Sequence, residues 1–411
     1  MKNQLKLTIA FQSLALLLGA LCLLVSCDIQ ENNDAEPETL VRIFDNDRFN
    51  QGFIPIDVKQ TSDGGYLILG GSRVDSSDFM GVYVLRADAE GNFVSDRLLP
   101  QSFVNPLYNL IQVGQEYYFF CMNNSNLNTR LMRIDEAGQV NEVSELPFSY
   151  PLYASPDQGA NGFILLQYDR DALETVVHRI DLTGNATSSQ GFEIGVGDFN
   201  VEIPIFNHLT RRGRQLPFLT GFTDNGTYFF NGFYNYTLSL VFFNFGSNED
   251  VEPGVVQGFR DERAISALVH LSGTSFALSR YSFGSNFILP QVSLDPAGIS
   301  SSKDLLGNPF PELVPDARIL LKRVDVNGQP ILLYASETRA KQIILLAYDA
   351  ATGALLNTRR LGFSNPYEIG SFSATQDGGL VVVGTTFVAG RFPRICLFKL
   401  SPEDLQDLVA Q

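Results

Sequence analysis

The stretch at residues 61–99, TSDGGYLILGGSRVDSSDFMGVYVLRADAEGNFVSDRLL, returns in weakened form near the other end of the chain as ATQDGGLVVVGTTFVAGRFPRICLFKLSPEDL. A unit repeated in this way is a supersecondary element that buries its apolar faces against copies of itself. In the first copy Asp63-Gly64-Gly65 supplies the positive-φ residues a tight hairpin turn needs. Tyr66 to Leu69 and Val82 to Leu85 are β-rich runs, and Asp88-Ala89-Glu90-Gly91-Asn92 closes the second of them. Each unit is therefore three or four short antiparallel strands.

Two punctuation marks can be followed from Leu40 onward. The hairpin between first and second strands is expected at Gly64, Gly114, Gly159, Gly213, Gly273, Gly328 and Gly378, at intervals of 50, 45, 54, 60, 55 and 50 residues. A D-x-x-G turn after the third strand falls at Asp88, Asp135, Asp181 and Asp295, with a longer version at Asp349-Ala350-Ala351-Thr352-Gly353 and degenerate counterparts near Phe245-Gly246 and Ser401-Pro402. Both marks give seven units of about 52 residues, a little above the span usual for ring-forming repeats. Composition agrees with an all-β chain, since 32 Phe, 15 Tyr and 35 Gly accompany no long stretch of helical apolar period after the N-terminus.

Strands of this kind at this period resemble the DGG-type β-propeller repeats of bacterial cell-envelope and secreted proteins. The likeness is fullest in the first unit (T-x-D-G-G-Y, then D-x-x-G-N) and the last (T-x-D-G-G-L). It implies an all-β, seven-bladed β-propeller with four antiparallel strands per blade, a six- or eight-bladed ring being the alternative, and it implies a fold rather than an activity. Because the last unit ends after RICLFKL without a fourth strand, Leu40-Val41-Arg42-Ile43-Phe44 is expected to supply it and close the ring.

Residues 1–26 carry Lys2 and Lys6, an apolar run from Leu14 to Val25, and Leu24-Val25-Ser26 directly ahead of Cys27. This resembles the lipobox of bacterial lipoproteins, which implies a signal peptide over 1–26, cleavage after Ser26 and diacylation of Cys27 as the membrane anchor. The apolar run is shorter than the roughly 20 residues of a membrane span. The acidic 27–39 segment reads as a solvated tether, and 40–411 as a single propeller domain. An acidic stretch after the lipidated cysteine resembles a surface-export signal of some Gram-negative groups, whereas an aspartate directly after it marks inner-membrane retention in others. The expected address is the bacterial cell envelope, at the outer membrane.

Charge narrows the partners. The formal net charge is −16, and it reaches −18 once Lys2 and Lys6 leave with the leader, so the surface repels nucleic acid. Cys121 and Cys396 lie in apolar strand runs of units that are not neighbours and read as buried thiols. His178, His208 and His270 stand singly with no metal-ligand spacing, and no metal or cofactor is expected. The chain has no tryptophan and no G-x-S-x-G, P-loop or G-x-G-x-x-G context.

The surviving functional candidates sit where one unit passes to the next. Phe103-Val104-Asn105-Pro106-Leu107-Tyr108, Phe148-Ser149-Tyr150-Pro151-Leu152-Tyr153 and Phe363-Ser364-Asn365-Pro366-Tyr367 repeat an aromatic and proline corner. In a propeller these crossovers rim one mouth of the central channel, which makes Tyr108, Tyr153 and Tyr367 candidate ligand contacts; a purely structural corner is the other reading. Ser155-Pro156-Asp157-Gln158-Gly159 matches the first half of an Asp-box but also an ordinary turn. Arg211-Arg212-Gly213-Arg214 could grip a carboxylate, although its spacing places it in a hairpin on the opposite face. The runs Asp75-Ser76-Ser77-Asp78 and Glu249-Asp250-Val251-Glu252 lack a calcium ladder. The expected function is binding or scaffolding of a protein or glycan partner, with a glycan-active hydrolase or lyase and a purely structural envelope protein as alternatives. No catalytic set is assigned.

Overall fold

Thr61, Thr223 and Thr375 open the same hairpin. In each the threonine N–H donates to the carbonyl four residues on (2.9, 2.8 and 3.0 Å), and the N–H of Gly64, Gly226 or Gly378 returns to the threonine carbonyl at 3.0 Å. The threonine hydroxyl donates to the side-chain oxygen of Asp63, Asn225 or Asp377. The glycines have φ of 84°, 87° and 86°, the left-handed region that L side chains avoid. The fourth hairpin thus lies at Gly226, which corrects the expectation of Gly213. Gly213 instead belongs to the segment after a short helix, Glu202–Leu209, that is inserted ahead of the fourth unit's first strand. The other six hairpin glycines stand where the spacing put them, all with positive φ.

The D-x-x-G turns stand too. The carboxylates of Asp88, Asp135 and Asp181 accept the N–H four residues on at 2.7, 2.8 and 2.9 Å. Gly91, Gly138 and Gly184 donate back to the aspartate carbonyls. At Asp349 the loop is one residue longer and Gly353 closes it at 2.9 Å. Ser401-Pro402 is no turn of this kind: Ser401 caps a helix, Pro402–Val409, in a reciprocal box with Asp404.

The computed structural model describes residues 40–45, 51–73, 77–195, 197, 199–246, 252–363, 365–387 and 392–410. The leader, Cys27 and the tether lie outside the described residues, as do Asp75, Ser76 and 249–251 of the two acidic runs. The described chain is all-β apart from short helical segments, and its strands follow one another in antiparallel meanders. The largest sheet consists of two four-stranded meanders, one starting at Phe53–Gln60 and the next at Ile111–Val113, bridged by Phe103–Val104. Four-stranded sheets follow from Pro151–Pro156, Arg263–Ser272 and Leu320–Val326, and a five-stranded one starts at Leu219–Phe222. That fifth strand, Ile299–Ser301, comes from the following unit and pairs parallel with Gly254–Gln257. In the last sheet Leu40–Phe44 pairs antiparallel with Arg394–Leu400, with Ile43 opposite Cys396. The outer strand of the C-terminal sheet therefore comes from the N-terminal side of the chain, as the missing fourth strand required.

A dry layer lies between each meander and the next, because second and third strands are apolar on both faces. Leu67 and Leu69 of the first meet Phe119 and Cys121 of the second, and Phe229 and Phe242 meet Phe276. Val381 and Val383 of the last pack with Val58 and Ile68 of the first. Each fully buried side chain of this size contributes about 1.5–3 kcal/mol. Cys121 and Cys396 are buried free thiols in separate sheets. Among the described residues no helix is long and apolar enough to cross a membrane.

Candidate functional site: a central cavity and its mouth

The first strand of several meanders carries a β-bulge at a corresponding place: between Pro55 and Asp57, Pro151 and Tyr153, Ile265 and Ala267, and Ile369 and Ser371. A bulge breaks the strict alternation of a strand and re-aims the side chain beside it. Asp57, Tyr153, Ser266 and Ser371 thereby line one cavity of about 150 Å³, together with Tyr108, Asn109, Leu219, Arg318 and Lys322. Every meander contributes to this lining. The cavity shares Tyr108, Arg214, Gln215, Asp316 and Arg318 with an outer mouth of about 520 Å³, whose rim adds Arg211, Glu337 and Glu368. These residues stand where chain passes from one meander to the next and at the ends of second strands, the end of the sheets away from the T-x-D-G-G turns.

Asp57 is the hub of the cavity. It is only 2% exposed, and its carboxylate accepts the Leu110 N–H at 2.8 Å and the Ser371 hydroxyl at 2.5 Å. Lys59 Nζ stands 3.6 Å away and Lys322 Nζ 3.9 Å away. Burial by itself would raise its pKa, but Lys59, Lys322, Ser371 and Leu110 together hold it below the usual carboxylate value. Burial pushes Lys322 down to about 8, with Asp57 opposing the shift and Lys59 and Arg318 adding to it. Lys322 also donates to the Phe372 carbonyl and lies 5.0 Å over the Phe372 ring.

At the mouth the organising group is Tyr108. Arg318 and Arg211 lie over its ring at 4.2 and 5.0 Å from the centroid, and Arg211 Nη1 donates to its hydroxyl at 2.8 Å. Burial opposes ionisation of this phenol, yet the two guanidinium groups bring its pKa below the ordinary value. Burial, Arg211 and Arg318 likewise keep nearby His208 neutral, with a pKa lowered to about 3, while its Nδ1 accepts the Leu216 N–H at 3.0 Å. Tyr153 accepts from Asn109 Nδ2 at 2.7 Å. Burial, together with Glu368, pushes the Glu337 carboxyl up, and its Oε2 is buried with no hydrogen-bond partner.

Of the three tyrosines singled out from sequence, Tyr108 and Tyr153 thus meet at the cavity and Tyr367 does not. Tyr367 is 5% exposed and packs edge-on against Phe398 at 5.3 Å inside the core between the last two meanders. Tyr367 directly follows its proline, whereas Tyr108 and Tyr153 stand two residues after theirs, and its ring packs between sheets. The arginine cluster is also re-placed. With the hairpin at Gly226, Arg211, Gly213 and Arg214 of the cluster line the same mouth as Tyr108, not the opposite face, and Arg212 lies outside that lining. Arg214 pairs with Asp261 and Asp316 at 3.1 and 3.2 Å, and Arg212 with Asp78. Asp157 of the half Asp-box is structural, since it caps Gln158 and binds Arg179 and Tyr228. His178 is a core histidine between Gln167 and Ser189, at 2.7 Å from each. Among the described residues no group of three or more His, Cys, Asp or Glu could hold a metal ion.

Sequence reading missed Asp57, Arg318, Lys322, Glu337 and Ser371. A signal existed for one of them: FIPIDVKQ carries Asp57 within a strand otherwise built for burial.

No protein-family model and no curated protein matches the chain. Among solved structures it is similar to the beta-propeller domain of the Trilobed protease from Pyrococcus furiosus, with 10% identity over 85% of this chain and 95% of that one and a TM-score of 0.47. It is similar also to an oligogalacturonate lyase in complex with manganese, with 14% identity, 90% and 96% coverage and a TM-score of 0.48. An acylaminoacyl peptidase from Pyrococcus horikoshii matches at 10% identity over 84% of this chain and 51% of that one, with a TM-score of 0.44. Likenesses this distant say nothing about ligand or reaction, and the site is read from its own residues.

Proposed function

We propose that the chain is a seven-bladed β-propeller closed by its own N-terminal strand, anchored in a bacterial outer membrane through lipid on Cys27, and that it works as a binding module. Its ligand, a glycan or protein partner, docks on the mouth around Tyr108. The observation that carries this reading is the contact of the Tyr108 ring with two guanidinium groups at the opening of a cavity to which every meander contributes. Tyrosine there offers apolar area with a hydroxyl and loses little side-chain entropy on binding. The repeat count and the strand pairing of Leu40–Phe44 support the ring, and the Leu24-Val25-Ser26-Cys27 sequence supports the anchor.

Two measurements test the proposal. Metabolic labelling with palmitate is expected to mark the wild type and not Cys27→Ala; label on the variant refutes the anchor. For any partner recovered from glycan arrays, Tyr108→Ala is expected to weaken binding by about 1 kcal/mol or more, and Arg212→Gln to leave it unchanged. A silent Tyr108 refutes the mouth. The second reading, a glycan-active hydrolase, is favoured by Glu337 alone, whose raised pKa suits a proton donor. It requires turnover that Glu337→Gln abolishes.

A further inference from the structure

We infer that the ligand taken at this mouth is a sugar bearing a carboxylate, with the carboxylate drawn by the guanidinium groups of Arg211 and Arg318. The inference rests on the binding reading above and names the class of ligand. In a chain of net charge −16, neither guanidinium has a carboxylate partner within 4 Å among the described residues. Arg318 Nη1 reaches only the Ile369 carbonyl, at 3.2 Å, and Arg211 Nε is buried with no acceptor. Beside them Gln215, which lines both cavity and mouth, has both amide atoms buried without a partner. Buried donors without acceptors are costly, and Arg211 Nε and Gln215 Nε2 are two of them at one mouth. A planar carboxylate offers two acceptor oxygens, in the geometry a guanidinium matches best.

The sign of the local field agrees with the geometry: burial would raise the Tyr108 pKa, and Arg211 and Arg318 bring it below its ordinary value instead. The neighbouring arginines are not available in the same way, since Arg214 lies between Asp261 and Asp316 and Arg212 is with Asp78. The rest of the rim limits the anion. Asp316, Glu337 and Glu368 share the mouth, so a dianion such as a phosphate monoester meets about twice the repulsion of a monoanion. Those same carboxylates accept hydrogen bonds from hydroxyl groups, and Tyr108 and Tyr153 give a sugar ring an apolar surface. A mouth of about 520 Å³ falls in the range of small-molecule sites and has room for one or two sugar rings.

The test is a printed panel of uronate-bearing oligosaccharides, each beside its carboxyl-reduced parent and a phosphorylated counterpart, probed with the full-length protein. At least one uronate is expected to bind tenfold or more tightly than both counterparts, with the preference lost in Arg318→Gln and in Arg211→Gln and kept in Arg212→Gln. Melting temperatures check that the variants fold, and the wild-type preference is decisive even if they do not. Binding to neutral or phosphorylated glycans that depends on Tyr108 but not on a carboxylate overturns this inference and leaves the binding reading standing. Uronate binding that is indifferent to Tyr108 and to both arginines overturns the inference and the choice of mouth together. Absence of any uronate binding overturns the inference.

Discussion

Replacing Asp57 by Asn removes one negative charge from the lining of the cavity while keeping the side chain's size. The carboxylate joins chain segments far apart in sequence: Leu110 lies 53 residues away and Ser371 314 residues away. Hydrogen bonds to a charged group are worth about 1.5–3 kcal/mol each. The amide keeps one acceptor oxygen and turns a donor toward the other partner. Lys59 and Lys322 lose their counter-ion, but their side chains are 24% and 33% exposed, so solvent screening discounts that loss. Together these give a destabilisation of about 3 kcal/mol. With an unfolding entropy of about 2.1 cal/mol/K per residue, this lowers Tm by about 4 °C in a domain of this size.

The pH dependence gives the argument a second handle. A carboxylate whose folded pKa is depressed contributes stability that is fully present above its unfolded value and is lost as pH falls through the folded one. The gap between wild type and Asp57→Asn is therefore expected to be level between about pH 5 and 7 and to close below about pH 4. Lys322, deprived of Asp57, shifts further below its present value of about 8, so the variant regains part of its loss as pH is raised toward about 9. Urea unfolding followed by near-ultraviolet circular dichroism of the tyrosines suits a chain without tryptophan. A change under about 0.5 kcal/mol at pH 7, the size of an ordinary surface substitution, refutes the role given to Asp57; so does a gap that persists unchanged at pH 3.

Two further outcomes follow from the same structure. Deleting residues 28–45 strips the outer strand from Arg394–Leu400 and with it the Arg394 to Asp45 ion pair at 2.7 Å, so it is expected to lower the melting temperature clearly, whereas deleting 28–36 is not; equal stability of both contradicts the closure. Because folded His208 stays neutral down to about pH 3 while the unfolded residue takes its proton near pH 6.5, stability drains as pH falls across that interval, and His208→Asn should remove one proton's share of the slope; an unchanged slope refutes the assignment.

The hairpins were legible because Thr61-Ser62-Asp63-Gly64-Gly65 is a local structure whose closing bonds are made within five residues. Its copy Thr223-Asp224-Asn225-Gly226 was equally local, but an inserted helix moved it off the expected interval and Gly213 took its place. The consequence reached the site, since a shift of one hairpin moved the arginine cluster to the other end of the sheets. Tyr108 and Tyr153 were visible through their proline corners, whereas Tyr367 shares the corner with one residue fewer between proline and tyrosine and packs into the core. Asp57, Lys322 and Ser371 stand far apart in sequence and meet only in the folded chain, and nothing within a repeat announces that meeting.

The central claim is that binding happens at the mouth built around Tyr108. Protein labelled with 3-fluorotyrosine, its resonances assigned by single Tyr→Phe substitutions, reports this directly when envelope glycans are added and fluorine spectra are recorded. The Tyr108 and Tyr153 resonances are expected to move together, while Tyr367 in the core and Tyr66 and Tyr117 beside the opposite turns stay in place. Saturable shifts at Tyr66 or Tyr117 with Tyr108 unmoved would contradict the account.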